Sequence, residues 1–501
     1  MVASSCFGVW HKTVRATLLA GMMLAIGLPG KPAVAEPATD GGAREITDAL
    51  GRNLGKVWID KGVISVKPDG EGYDLALDIG SAKLGLPGDG MTFSLKPFTL
   101  RLTPKGERRF AFELPKSTLE LTYRNPALFF SEEGSRRLVN CSGEGLLDLD
   151  AFLVSEGNLQ CESSTASNSV GVFGGEGKTG LISLKLAGTA VADGNIDGRI
   201  SYEVSSFVET FGAKIGDALP TSLPKPEMTT KVDGIRHDFS VSGLRKAGLT
   251  TAFAFLSDRF LRGPGTATRA EIEALAKGVM PLWSNASLKS HYENLSWGTP
   301  RGPIKFAVID AAMKSEGLVE HTDLDGTLNV SGMQVPGTVL PSWAAILVPE
   351  KITLDTRLKD LDLESLVDGA IEVATRGGSP VPGEMHALLL RVFSNNRATL
   401  AFDATATASD YDIKGQGMTS IFPSQGGKAI ISAAGVDAID AVLAKAAVSD
   451  PMSRRAALGV AFLKGLAKTG SDGRLIWNVE FERQMSKITV NGQSFGPGTR
   501  Q

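Results

Sequence analysis

The sequence predicts a β-rich α+β protein: antiparallel meander sheets in an elongated arrangement, helices inserted between the sheets, and a C-terminal helix pair followed by a hairpin. Three observations carry this. Apolar and polar residues alternate with period two over many short segments, the pattern of strands with one buried face, because successive side chains point to opposite sides. The chain holds 58 glycines, many of them beside Asp, Asn or Pro, which punctuate short strands with turns. Helical spacing is confined to one short stretch near the start and to the middle and end. At 501 residues the chain is too long for one small domain. The expected division is a signal peptide over 1–35, an N-terminal antiparallel β domain over 36–219, a mixed helical middle segment over 220–300, and a C-terminal α+β domain over 301–501 that ends in a hairpin.

The first residues have the build of a secretory signal. His11, Lys12 and Arg15 form a basic start, Ala16 to Leu28 an apolar run shorter than a membrane span needs, and Ala33-Val34-Ala35 a small-residue cleavage site. Cleavage after Ala35 removes three basic residues and no acid, moving the formal charge from −3 to about −6. No Cys follows the apolar run, which argues against a lipid anchor, and no second spanning segment is apparent. The expected location is the periplasm or the cell exterior, with no transmembrane segment after cleavage. A mildly acidic surface without clustered Lys and Arg argues against nucleic acid as a partner. Cys6 leaves with the signal; Cys141 and Cys161 remain, an even number in an oxidising compartment, and are expected to form a disulfide, with two free thiols as the alternative.

Taken in order, Ile46 to Leu54 reads as a short helix. From Val57 to Val204 the chain reads as strand after strand. Tyr73, Leu75 and Leu77 alternate with polar or small residues, as do Phe93 and Leu95, Leu100 and Leu102, Phe110, Phe112 and Leu114, then Leu119, Leu121 and Tyr123. Ser206 to Leu219 has Phe207, Phe211, Ile215 and Leu219 at a spacing of four and reads as a helix, and the Pro-rich stretch from Leu219 to Pro226 as a linker. Arg245 to Leu261 reads as a helix, and Thr268 with Glu271 as a capping box opening another over Arg269 to Met280. Strands return from Ser287, including Ile304 to Ile309, Leu324 to Val330 and Ile352 to Leu363. Leu363 to Thr375 and Glu384 to Phe393 read as short helices, the latter part strand, and Ala398 to Ile413 alternates again. Val436 to Ala447 and Met452 to Lys468 are amphipathic helices, the second opened by Asp450-Pro451. In the final hairpin Leu475, Trp477, Val479 and Phe481 share one face, and Asn491-Gly492 supplies a turn that tolerates positive φ.

The order of the last third is a Leu340-Pro341-Ser342-Trp343 segment, Val381-Pro382-Gly383-Glu384-Met385-His386-Ala387-Leu388, a strand, a helix from Gly435-Val436-Asp437-Ala438-Ile439, a second helix, and a strand pair closing on Ile488-Thr489-Val490-Asn491-Gly492-Gln493. This resembles an uncharacterised family of secreted alphaproteobacterial proteins, the domain-of-unknown-function family numbered 2125. The resemblance implies architecture and a secreted location. Its motifs are packing and turn residues, and it brings no catalytic residues.

Chemical motifs fail on context. Gly492-Gln493-Ser494-Phe495-Gly496 matches a nucleophile elbow, which must be followed by a helix, an acid and a histidine. Gly175, Gly177 and Gly180 fit a phosphate-binding pattern, but Leu181 to Leu186 after them read as strand where a helix is needed, so a flexible inter-strand loop is expected. Gly177-Lys178-Thr179 resembles the end of a P-loop, with Val172 where its first glycine belongs. Asp193, Asn195, Asp197 and Gly198 approach a calcium loop, but Val204 stands where the terminal Glu belongs, so a hairpin turn is expected. Glu320, His321, Asp323 and Asp325 cluster, Glu384 stands near His386, and His237 and His291 are isolated in sequence. No cofactor, metal or catalytic residue is assigned. The expectation is a non-enzymatic envelope protein with a structural or protein-interaction role. The alternative is a module that binds or transfers a lipid or other apolar ligand on the apolar face of a curved sheet, with Phe93, Leu95 and Leu100 as candidate face residues. A sandwich in which two sheets cover each other would remove that face. The expected partner is accordingly an envelope protein or a lipid.

Overall fold

The computed structural model describes residues 37–83, 92–125, 132–170, 173–213, 227–262, 268–317, 322–362, 398–420, 426–482 and 487–495. The expected signal peptide, the expected linker at 219–226, the expected helices at 363–375 and 384–393 and the 381–388 motif lie outside the described residues. Two compact units emerge. The first holds the described residues up to Glu227 together with Gly234–Leu288, the second Met228–Asp233 and the described residues from Lys289 onward. The segment 220–300 is thus divided between the units instead of forming a middle of its own, because strand pairing, not chain order, assigns its parts.

The first unit opens with α1 (Asp40–Leu54), six residues longer at its start than the apolar spacing alone showed. Thr39 caps it by accepting from the Gly42 N–H at 3.1 Å, which satisfies one of the free donors of the first turn. Ala43, Ile46, Ala49 and Leu50 form its buried stripe. A short α2 (Val57–Asp60) follows. The strands are β1 (Ile64–Asp69), β2 (Gly72–Leu77), β3 (Gly80–Lys83), β4 (Thr92–Leu95), β5 (Phe98–Pro104), β6 (Arg109–Asn125), β7 (Glu132–Asp148), β8 (Leu153–Cys161), β9 (Ser163–Val170), β10 (Phe173–Thr179), β11 (Ile182–Ala190), β12 (Asn195–Val204) and β13 (Phe207–Ala213). After β14 (Glu227–Val232), β15 (Gly234–Arg245) runs directly into α3 (Lys246–Arg262), followed by α4 (Arg269–Val279). The box that opens α4 is formed as expected, Thr268 and Glu271 each receiving the other's backbone N–H.

The long antiparallel pair β6–β7 is the root of a fork. One arm runs β1–β2–β5–β6–β7–β8–β11–β12–β15. The other runs β3–β4–β6–β7–β9–β10–β13. The split falls where the β6–β7 register shifts on both sides of Ser117, beside Pro115. A proline there cannot donate to the ladder, and a bulge bends the strand. On β7 the step is made at Asn140, whose φ is 52°. Residues 142–148 pair with β8 and residues 132–139 with β9. Cys141 and Cys161 sit at this fork with sulfurs 2.14 Å apart, within disulfide distance, and both are buried.

Two readings change here. Residues 207–213 are strand, not helix; the rest of that expected helix lies outside the described residues. A spacing of four is an even number, so Phe207 and Phe211 share a face in a strand as well as in a helix, and pairing with Thr179 and Gly175 decides between them. Gly175 and Gly177 belong to β10, paired on both sides, and are not a flexible loop.

The second unit contains β14 from Met228, the part of β16 (Asn285–Trp297) from Lys289, β17 (Ile304–Glu316), β18 (Thr322–Ser331), α5 (Ser342–Ile346), β19 (Lys351–Leu361), β20 (Thr399–Thr407), β21 (Asp412–Ser420), β22 (Gly427–Ala434), α6 (Val436–Ala446), α7 (Pro451–Leu466), β23 (Lys468–Thr469), β24 (Leu475–Phe481), β25 (Ile488–Val490) and β26 (Gln493–Phe495). From β17 to β22, and on through β24 to β26, it is an antiparallel meander. One apolar row crosses it in register: Ala311, Leu328, Leu354, Ala404, Gly415, Ile431 and Trp477. At the Trp477 end, Leu466 of α7 and Val436 of α6 pack on this face.

Among the described residues, those that carried the family resemblance include capping and packing groups. Trp343 Nε1 donates to Asp450 Oδ2 at 2.8 Å, and the same carboxylate caps α7 by accepting from Ser453 N at 2.8 Å. Gly435 has φ of 72°, and a Cβ there would overlap the Asp410 carbonyl. Asn491 (φ 50°) and Gly492 (φ 90°) make the tight turn joining β25 to β26. Asn491 also donates to Leu466 O at 2.7 Å, tying the end of α7 to the hairpin.

Candidate apolar-ligand site

The first arm of the fork presents a face on which Tyr73, Leu102, Phe112, Gly145, Gly157, Leu186, Ile200 and Phe239 stand in one register row. Glycine is required at Gly145, where a Cβ would collide with the Phe112 ring and the Glu156 carbonyl. α1 lies over this face; Ile46, Ala49 and Leu50 join Leu75, Leu102, Phe110, Phe112 and Val154 in the main core. α3 lies beside α1 and α2, and Trp58 Nε1 donates to Ser257 Oγ at 2.7 Å to fasten them.

The helices and the sheet do not close completely. Between them is an apolar cavity of about 200 Å³. Leu75, Leu77, Leu100, Leu102 and Phe112 form its floor, Leu50, Leu54 and Trp58 one wall, Leu249 and Phe253 another, and Leu147, Phe152, Val154, Ile196 and Leu244 the remainder. Polar side chains enter from Asn53, Lys246 and Thr250. Thr250 Oγ1 donates to Lys246 O at 3.1 Å, and Asn53 Nδ2 to Ala49 O at 2.9 Å, so both have helix-backbone partners. Lys246 Nζ donates to Asp150 O at 2.6 Å. Burial pushes the Lys246 pKa below its usual value, against the pull of Asp148 and Asp150. For scale, a cavity of about 150 Å³ lined by Leu, Ile and Phe stays dry and binds small apolar molecules.

The three candidate face residues lie on strands of different arms. Leu100 is in the cavity floor, packed against the core. Phe93 and Leu95 belong to β4 in the other arm, opposite Tyr123 and Leu121. The face at Leu100, open in the alternative reading and covered by a second sheet in the sandwich, is roofed by α1 and by α3, which arrives from far along the chain. On the second arm the opposite face is a row of hydroxyls, with Ser94, Thr122, Ser135 and Ser167 in register and Ser135 Oγ 2.8 Å from Ser167 Oγ.

The second unit has an open concavity of about 920 Å³ on the polar face of β17–β22. Met418 and Ile430, 58% and 44% exposed, lie in its floor. Lys314, Asp325, Asp355, Arg357, Asp403 and Lys428 surround them.

The remaining candidate residues have structural partners. Asp325 accepts from Arg357 Nε at 2.8 Å, and Asp323 from Asp360 N at 3.2 Å. Glu320, His321, Glu384 and His386 lie outside the described residues. Asp193 (φ 62°) makes the turn between β11 and β12, and Asp197 accepts from Gly243 N at 2.8 Å. Ser494 lies in β26, 3.3 Å from Thr489 Oγ1. His237 is buried and stacks on Tyr202, and burial lowers its pKa. Among the described residues no three His, Cys, Asp or Glu are grouped as metal ligands, and no helix is long and apolar enough to cross a membrane.

His291, isolated in sequence, has Nδ1 2.6 Å from Asp310 and Nε2 3.0 Å from Glu293. Hydrogen bonding to Asp310, then to Glu293, raises its pKa above the usual 6.5. The contribution to stability is therefore full below pH ~6.5 and is lost as pH rises through the raised folded value. At this half-exposed site it is below about 1 kcal/mol. Denaturant titrations of wild type and His291→Gln are expected to show a gap at pH 6 that shrinks as pH rises above the usual histidine value; a gap that does not change with pH would refute the pairing.

No family model, curated protein or solved structure matches the chain.

Proposed function

We propose that the protein is a non-enzymatic, secreted or periplasmic apolar-ligand carrier whose first unit holds its ligand in the cavity between α1, α3 and the sheet. The observation that carries this reading is the cavity itself. Its walls are almost entirely Leu, Ile, Val, Phe and Trp, with a few polar groups entering from Asn53, Lys246 and Thr250. Binding sites are built this way, an apolar lining with a small number of placed polar groups. A fold that needed the helices only for stability gains by filling such a space, since an empty cavity loses both transfer and packing energy. The second unit supports a second reading, a protein-interaction surface at the concavity around Met418 and Ile430, whose exposed apolar floor and charged surround have the anatomy of an interface.

The test is native mass spectrometry with solvent extraction on protein purified from its own host's envelope, for wild type and Leu100→Trp. The wild type is expected to carry a stoichiometric apolar adduct that the tryptophan, filling the cavity from its floor, displaces. A clean apo mass for the wild type would refute the carrier reading and shift weight to the interaction surface.

A further inference from the structure

We propose that the cavity ligand is a single-chain amphiphile with an anionic headgroup, and that Lys246 recognises the head. The inference rests on the carrier reading above and adds its substrate class. Lys246 lines the cavity and carries its cationic charge. An ammonium has three donors and no acceptor. Nζ uses one, toward the neutral Asp150 carbonyl, and among the described residues no carboxylate lies within ion-pair distance of it. The two acids whose charge it feels are engaged elsewhere: Asp150 lies 2.8 Å from Arg108 Nε and Asp148 3.8 Å from Arg109 Nε. A partly desolvated cation against an apolar wall is costly unless an anion joins it. A carboxylate or phosphate at the mouth would complete the charge with short, charge-assisted hydrogen bonds, while the chain fills the apolar space. The apolar space, about 200 Å³, is of the size class of a dry cavity of about 150 Å³ that takes one small apolar molecule, which favours a single chain over a pair.

Titration calorimetry of the delipidated full chain decides it, with decanoate, decyl phosphate, decanol and decyltrimethylammonium as probes, for wild type and Lys246→Met. The expected result is that decanoate, decyl phosphate or both bind at least tenfold tighter than decanol and that the cation binds weakest. Lys246→Met brings the anions down to the affinity that the same variant has for decanol, and an unchanged urea midpoint reports an intact fold. The ratio of the two anions separates a carboxylate head from a phosphate monoester head on the single chain. If decanol equals both anions, or if Lys246→Met leaves their advantage intact, the headgroup inference is wrong and the carrier reading stands. If none of the four probes binds, the carrier reading falls with it.

Discussion

Leu102→Ala is expected to destabilise the first unit by about 2–5 kcal/mol, toward the upper end of what a buried leucine truncation costs. Leu102 is 1% exposed and belongs to both the core cluster and the cavity floor. The cost of truncation depends on how far the surroundings collapse. Here they are held apart from both sides: α1 is braced by Tyr73, whose ring occupies the space a Cβ on Gly42 would need, and Phe112 by its seat on Gly145. The new void therefore merges with the existing one. The loss is measured by urea denaturation combined with hydrogen exchange on the full chain, where peptides of α1, β2 and β5 should lose protection together while those of β20–β22 keep theirs. A change below about 1 kcal/mol would mean that α1 does not close over this sheet.

The second large effect is at the fork. Replacing Cys141 and Cys161 together by alanine is expected to cost roughly 3 kcal/mol, the chain-entropy value for a closed loop of this length, given the sequence separation of 20. The consequence is local as well as global. Cys141 lies next to the Asn140 step of β7, and Cys161 is the last residue of β8 before β9 begins in the other arm. Nearby, Glu162 accepts from Asn140 Nδ2 at 2.7 Å and from Lys116 Nζ at 2.6 Å. These exposed contacts cannot replace a covalent tie. Exchange in the double variant should rise first at residues 138–142 and 160–165, and non-reducing mass spectrometry of the wild type should show the two cysteines linked. Cys141 and Cys161 both alkylatable in the wild type, or a thermal midpoint unmoved by the double substitution, would refute the tie.

Much of the architecture was legible because its causes are local. Period-two alternation placed many of the strands of both units, and Leu475, Trp477 and Val479 do pack with Leu466 of α7, with Trp477 buried. The capping box at Thr268 and Glu271, the Asn491-Gly492 turn and the Asp450-Pro451 helix start each depend on a few neighbouring residues and their backbone donors, so they could be named from sequence spacing. Pairing of Cys141 with Cys161 followed from there being no other cysteine outside the expected signal.

Which apolar faces meet is settled only in three dimensions. Alternation states that Phe93, Leu95 and Leu100 each have an apolar side. It does not state that β4 and β5 leave the β6–β7 root in different arms, which depends on a bulge beside Pro115 and on non-local ladders. The helical spacing of 245–261 announced α3, but not that it returns to roof strands laid down more than a hundred residues earlier. The apolar cavity, and the meeting of Lys246 with Asp150 across 96 residues, result from that return. Side-chain periodicity is a property of a segment and survives in any context; the partner of a face is a property of the whole chain, set by which non-local burial lowers the free energy most.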